Sequence, residues 1–259
     1  SINMSVLFPS GIRTFNVHKI TRLKPSKTCK QKEVMVQKKE TIQKMFAGIS
    51  RNYDFLNSLL SLRRDKYWRR FAAEKLPSGL ILDVCSGTGD VAIEVSKRSN
   101  AIASDFCVEM LKLCDLKLKK SNIKNVCCIQ NDAENLSFKD NSFDGAIVAF
   151  GIRNVADISI ALSEMHRVIR KGGSVVVLEF SQPQNRVFRS IYYLYFQKML
   201  PVIGRLVSKR SGPYSYLPSS VIAFPKREDF VQLMKRSGMT DIRYYDLTFG
   251  IVTVYVGSK

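Results

Sequence analysis

The amino-acid sequence predicts an α/β fold in which a mostly parallel sheet is wrapped by helices and closed by an antiparallel strand at its C-terminal end. Two observations carry this. From Leu80 onward, short runs rich in Val, Ile, Ala and Cys alternate with longer stretches of helical periodicity, the pattern of consecutive right-handed βαβ units. At the end of the chain two such runs, Ile242–Leu247 and Ile251–Val256, follow one another with no helix between them.

The elements are expected in this order. Val36, Ile42, Met45, Phe46 and Ile49 predict one helix, residues 53–62 a second and residues 66–76 a third, before Pro77-Ser78-Gly79 breaks the pattern. A first strand at 80–84 precedes a helix at about 89–98, and a second at 101–104 precedes a helix at 108–119. The third strand, 126–129, runs into an acidic loop; 143–150 leads to a helix at 158–169; and 174–180 leads to a helix at 188–199. A helix at 227–237 introduces the closing antiparallel pair. No internal repeat is evident.

At 259 residues, with 45% hydrophobic and 24% charged residues, the chain has the composition of a globular domain rather than of a disordered, collagenous or disulfide-stapled one. The net charge of +19 is uneven: nothing acidic precedes Glu33, whereas Arg13, Lys19, Arg22, Lys24, Lys27, Lys30 and Lys32 all do. Residues 1–33 are therefore expected to form a basic, disordered tail, with an organelle transit peptide as the alternative. Residues 34–259 are expected to form the domain, with 34–78 as a helical lid and 186–225 as a helical insertion on the substrate side. The excess charge favours an anionic partner without choosing among nucleic acid, membrane and acidic substrate.

The most apolar long segment, Ile191 to Val207, is interrupted by Gln197, Lys198, Pro201 and Arg205 and is not expected to span a bilayer. It continues an apolar, aromatic stripe through Tyr192, Tyr195, Met199 and Ile203, flanked by Arg189, Lys209 and Arg210, that suits either a helix covering the sheet or a pocket wall for an apolar substrate near lipid headgroups. Six cysteines without a CxxC, and only His18 and His166, predict reduced structural thiols and no metal site.

In such sheets ligands bind outside the carboxyl ends of the strands. After the first strand comes Asp83-Val84-Cys85-Ser86-Gly87-Thr88-Gly89-Asp90, whose glycines allow a tight turn and close backbone approach to a ligand. The second strand ends at Asp105, placed to accept hydrogen bonds from ribose hydroxyls, and the third ends at Asp132-Ala133-Glu134. Gly87-x-Gly89-x-x-Ala92 with Asp105 also fits a dinucleotide fingerprint, but Asp83 and Asp90 would repel a pyrophosphate. A donor with sulfonium and ammonium cations and no phosphate, S-adenosyl-L-methionine, suits these carboxylates better. Asp90 reads equally as a carboxylate complementing the helix dipole.

These segments carry a resemblance. Ile81-Leu82-Asp83-Val84-Cys85-Ser86-Gly87-Thr88-Gly89-Asp90, Asp132-Ala133-Glu134-Asn135-Leu136 and Phe150-Gly151-Ile152-Arg153-Asn154-Val155 resemble the ubiquinone/menaquinone biosynthesis C-methyltransferase family. So do Met165-His166-Arg167-Val168-Ile169-Arg170-Lys171-Gly172-Gly173, Leu178-Glu179-Phe180-Ser181, Tyr53-Asp54-Phe55-Leu56-Asn57, Tyr216-Leu217-Pro218 and Leu247-Thr248-Phe249-Gly250. The resemblance runs from about Val36 to the C-terminus, and the Phe-Gly-Ile-Arg-Asn and Tyr-Asp-x-x-Asn segments are its specific parts.

It implies the class I methyltransferase fold with a seven-stranded sheet, S-adenosyl-L-methionine as the donor, and methylation of a ring carbon on a polyprenylated quinol. Asp83, Gly87, Thr88 and Gly89 would belong to the donor site, with Thr88 and neighbouring backbone holding the methionine part, Asp105 the ribose, and Asp132 with the Ala133 amide the adenine. Ala149 stands where the family often has a serine, and Cys85 where it has Ala or Gly. Arg153 and Asn154, with Tyr53, Asp54 and Asn57 arriving from the N-terminal helices, form the candidate catalytic set. Arg153 would stabilise a developing phenolate or pair the loop with the lid, and His166 is expected to be a core or rim residue.

Tyr216-Leu217-Pro218 with Phe224-Pro225 points to the menaquinone-type members, hence demethylmenaquinol, with a ubiquinone precursor as the alternative. The implied partners are the quinol, an anionic membrane surface and other quinone-biosynthesis enzymes, with a homodimer open and nucleic acid disfavoured. The implied place is the cytoplasmic face of the inner membrane, or an organelle if the tail is a transit peptide. Two other classes stay open: a methyltransferase acting on RNA or another small molecule, and an inactive methyltransferase-like binding module.

Overall fold

The computed structural model of the chain describes residues 3–8, 11–16, 40–48, 58, 61–185, 188, 190 and 212–259. Two units separate, Ser1–Lys38 and Lys39–Lys259. The first contains an antiparallel hairpin of β1 (Asn3–Phe8) and β2 (Gly11–Asn16), in register Phe8↔Gly11.

The second unit is built on the expected seven-stranded sheet, in the order β5-β4-β3-β6-β7-β9-β8. Its strands are β3 (Leu80–Val84), β4 (Asn100–Asp105), β5 (Val126–Gln130), β6 (Phe143–Ala149), β7 (Ile169–Phe180), β8 (Thr240–Leu247) and β9 (Val252–Ser258). The first five run parallel, and β9 enters antiparallel to both β7 and β8. Helices α1 (residues 40–48) and α2 (Arg64–Ala73) precede the sheet. Between strands lie α3 (Asp90–Val95), α4 (Val108–Lys120), α5 (Ile158–Val168), α6 (Gly212–Ala223) and α7 (Arg227–Arg236).

The sheet is covered on both faces, which is why β7 reads as an unbroken apolar run: Val175, Val176, Val177 and Leu178 are all fully buried. On one face Leu162 and Met165 of α5 and Phe230 and Met234 of α7 pack against Val175, Val177 and Tyr255. On the other, Trp68 and Ala72 of α2, Val91 and Val95 of α3 and Cys114 and Leu118 of α4 pack against Ile81, Ile147 and Val176.

Two of the boundaries that differ from expectation have a visible cause. Helix α3 stops at Val95 because Asn125 takes the carbonyls of Ser96 and Ser99 through its Nδ2, at 2.8 and 3.0 Å. Strand β7 begins at Ile169 rather than Ser174, running through Gly172-Gly173; a Cβ on Gly173 would meet the Asp144 carbonyl at 2.6 Å. Among the described residues no helix is long and apolar enough to cross a membrane.

Strand order reverses at β3, which has β4 on one side and β6 on the other. The loops leaving the carboxyl ends of these strands diverge to opposite faces and leave a crevice between them.

Candidate active site

The crevice is a cleft whose empty space, counted out to open solvent, is about 810 Å³. Gly87 lines it from the β3 loop, Asp105 and Phe106 from β4, Asp132, Ala133 and Glu134 from β5, and Ala149, Phe150 and Asn154 from β6; Ile42 and Phe46 of α1 close it from above. Among the described residues three carboxylates face this space, Asp105, Asp132 and Glu134, and no Lys, Arg or His lines it.

The carboxylates are held by backbone amides. Asp105 Oδ2 accepts from Gly87 N–H and Oδ1 from Cys107 N–H, both at 2.8 Å. Burial pushes its carboxyl up, and the amides of Cys107, Gly87 and Phe106 pull it back. Asp132 Oδ1 accepts from Glu134 N–H at 2.9 Å, while Glu134 accepts from the amides of Ala156 and Asp157 at 3.2 and 2.8 Å and so ties the β5 loop to the loop after β6. A carboxylate oxygen with one such bond keeps a lone pair for a ligand hydroxyl or amine.

Two cleft residues have strained backbone. Cys85 and Phe150, both cleft residues, have φ of 54° and 57°, a region that residues other than glycine seldom adopt. Phe150 is fixed by its N–H to the Leu178 carbonyl at 2.8 Å, by its ring against Phe180 at 4.7 Å, and by Arg153 Nη1 on its carbonyl. Arg153 also donates from Nη1 to Glu179 Oε1 at 2.7 Å; Glu179 is fully buried and accepts a further bond from Phe180 N–H at 2.8 Å. Asn154 accepts from the Tyr216 hydroxyl at 3.0 Å.

The architecture and the acid-lined cleft are those of a methyl-transfer enzyme, and the sequence model of the ubiE/COQ5 methyltransferase family matches residues 34–259. The chain belongs to the ubiE/COQ5 methyltransferase family. A relative from Citrifermentans bemidjiense named ubiquinone/menaquinone biosynthesis C-methyltransferase UbiE is 47% identical over 86% of this chain and 98% of its own. A demethylmenaquinone methyltransferase from Deinococcus radiodurans is 44% identical over 86% of this chain and 94% of its own. Among solved structures, a SAM-dependent methyltransferase from Thermotoga maritima superposes with a TM-score of 0.61 at 20% identity, covering 84% of this chain and 99% of that one, which establishes the shared fold.

Within this family member the expected site residues divide into three groups. Gly87, Asp105, Asp132, Ala133, Ala149 and Asn154 line the cleft. Asp83, Thr88, Gly89 and Arg153 stand behind it. Asp83 is buried under the β3 loop, where Oδ2 accepts from Ala92 N–H at 3.0 Å and burial raises its carboxyl well above the usual range. The Thr88 hydroxyl receives Lys117 Nζ at 2.9 Å. Among the described residues Arg153 pairs with Glu179 of β7. Tyr53, Asp54 and Asn57 lie outside the described residues, as does nearly all of the 186–211 stripe.

Asp90 does not acidify the cleft. Lys117 Nζ lies 2.7 Å from Asp90 Oδ1 and Arg69 Nη2 lies 3.8 Å from its Oδ2, so its charge is compensated on the far side of α3. The negative potential comes instead from Glu134, beside the two aspartates foreseen. His166 sits at the other end of α5, its backbone carbonyl accepting from Lys259 Nζ at 2.9 Å, a rim residue as expected. Glu179 and Tyr216 were visible only as members of family segments, because nothing local assigns a partner to either.

Gly89 has a structural task. Its φ is +82°, and a Cβ there would meet Cys114 Sγ at 2.2 Å, so α4 packs directly on the loop. Gly89→Ala is expected to cost about 1–3 kcal/mol and to weaken donor binding through the displaced loop. Urea denaturation and calorimetry on the same protein measure both.

Proposed function

We propose that this chain is an S-adenosyl-L-methionine-dependent C-methyltransferase that methylates a ring carbon of a polyprenylated quinol, with demethylmenaquinol as the acceptor. The observation that carries the donor is the lining of the cleft: among the described residues three carboxylates and no cationic side chain, at the switch point of the sheet. A cationic donor without phosphate gains from that field, whereas a dinucleotide pyrophosphate would be repelled by it.

The residues fit the donor's parts. Asp105 is placed to accept the ribose hydroxyls, Asp132 and the Ala133 amide to receive the adenine edge, and the Gly87 turn to let the backbone approach the methionine moiety. The bound donor supplies an electrophilic methyl group on a sulfonium. What the protein adds is orientation and exclusion of water, which can account for much of the acceleration of such a transfer. Phe150, Ile42, Phe46 and Val155 provide an apolar wall against which an aromatic ring can lie. Asn154 and Gln43 are polar groups at that wall.

The acceptor assignment rests on what relatives are named for, the UbiE protein of C. bemidjiense and the demethylmenaquinone methyltransferases of D. radiodurans and Geobacillus stearothermophilus, the last 37% identical over 86% of this chain. The test is a comparison of kcat/KM for demethylmenaquinol and for 2-polyprenyl-6-methoxy-benzoquinol, with RNA as a third acceptor. At least tenfold preference for the first supports the menaquinone reading; preference for the second assigns the enzyme to ubiquinone synthesis, and methylation of RNA alone overturns both. The net charge of +19 supports a peripheral association with anionic lipid on the cytoplasmic side of the inner membrane, where such an acceptor resides. Vesicle flotation with and without anionic lipid checks it.

A further inference from the structure

The Asn154 carboxamide has one end that accepts hydrogen bonds and one that donates them, and the structure determines which is taken. Its Oδ1 receives the Tyr216 hydroxyl at 3.0 Å. Among the described residues its Nδ2 has a long contact, 3.4 Å, to the Phe150 carbonyl, which the Arg153 guanidinium already occupies at closer range. Asn154 lines the cleft and Tyr216 does not. Tyr216 arrives on α6, which packs against the turn Ile152–Asn154, and its ring is half-buried.

We infer that Tyr216 is a positioning residue for methyl transfer: by engaging Asn154 Oδ1 it turns the Asn154 amide N–H toward the cleft, where that N–H stabilises the negative charge on the acceptor's ring oxygen. This deepens the quinol reading above and rests on it. An electron-rich ring carbon requires that a neighbouring phenol be ionised, and a fixed N–H aimed at the resulting oxygen lowers the cost of ionisation. Were the carboxamide free to turn over, its carbonyl oxygen would face the same charge and repel it. Burial pushes the Tyr216 phenol up, so it stays protonated and serves as the donor the arrangement needs.

The experiment compares the wild type with Tyr216→Phe, Asn154→Ala and the double variant. Binding of S-adenosylhomocysteine, measured by calorimetry, is expected to be unchanged in Tyr216→Phe, which shows that the fold and donor site are intact. Its kcat on demethylmenaquinol is expected to fall about tenfold or more, the scale of a misaligned charge-stabilising donor. The acidic limb of its pH–kcat profile is expected to move up by about half a unit or more, because the acceptor phenol becomes harder to ionise. The double variant is expected to be no slower than Asn154→Ala alone, since both substitutions remove one interaction.

A kcat within twofold of wild type, an unshifted pH limb or losses that add in the double variant would overturn the inference. If instead the wild type binds the donor and methylates no quinol, the functional reading falls and the inference with it.

Discussion

Glu179→Ala is expected to destabilise the protein by about 3–5 kcal/mol, the cost of leaving one member of a buried ion pair without its partner. Glu179 is fully buried in β7 and the Arg153 side chain is only 8% exposed. The carboxylate accepts from Arg153 Nη1, from Phe180 N–H and, at 3.4 Å, from Arg153 N–H. Burial raises its carboxyl, with the Arg153 charge opposing that rise. Without it, the guanidinium keeps the Phe150 carbonyl and the face of Phe180, while its Nε, buried and without a hydrogen-bond partner among the described residues, remains uncompensated.

Against a net stability of roughly 5–15 kcal/mol this is a large fraction. A lowered urea midpoint at unchanged slope is the expected readout. The paired replacement Arg153→Met with Glu179→Leu is expected to recover most of that loss without recovering activity, because the pair holds Phe150 and the Asn154 turn at the cleft. A single Glu179→Ala that costs less than about 1 kcal/mol would show that the pair is not structural.

Asp105→Ala is expected to raise the dissociation constant for the donor about 100-fold, on the basis of two charge-assisted hydrogen bonds worth roughly 1.5 kcal/mol each. Asp105 braces the Gly87 and Cys107 amides at the carboxyl end of β4 while facing the cleft, so the substitution removes a ligand contact and the support of the loop opposite. The same group sets a pH dependence. Its carboxyl lies above the ordinary aspartate value, and a cationic donor favours the ionised form. Donor affinity is therefore full at neutral pH and falls on acidification as that raised value is crossed, earlier than an unperturbed aspartate would dictate. In Asp105→Ala the dependence is lost. Calorimetric titrations at neutral and mildly acidic pH check both the magnitude and the sign.

Elements and acidic strand ends were legible because they are local. Strand β3 falls where the apolar run Leu80–Val84 places it, and Asp105 and Asp132 end their strands facing the cleft as the topology requires. What was not legible depends on partners distant in sequence. Asp90 read as part of an acidic pocket until Lys117, a helix away, was found beside it. Nothing local announces that the Thr88 hydroxyl accepts from that same lysine. The ion-pair partner that the described residues give Arg153 is Glu179, which the fold brings across from the neighbouring strand. Tyr216 lies 62 residues from Asn154, and no periodicity links them.

The central claim is that this acid-lined cleft delivers a methyl group to carbon on a quinol ring. The direct measurement is a reaction of the purified protein with donor carrying a 13C-labelled methyl group and with demethylmenaquinol, followed by NMR of the extracted quinone. The account predicts label in a methyl group bonded to ring carbon, with formation abolished by excess S-adenosylhomocysteine. Label on a ring oxygen as a methyl ether, or no labelled quinone from protein that binds the donor, would contradict it.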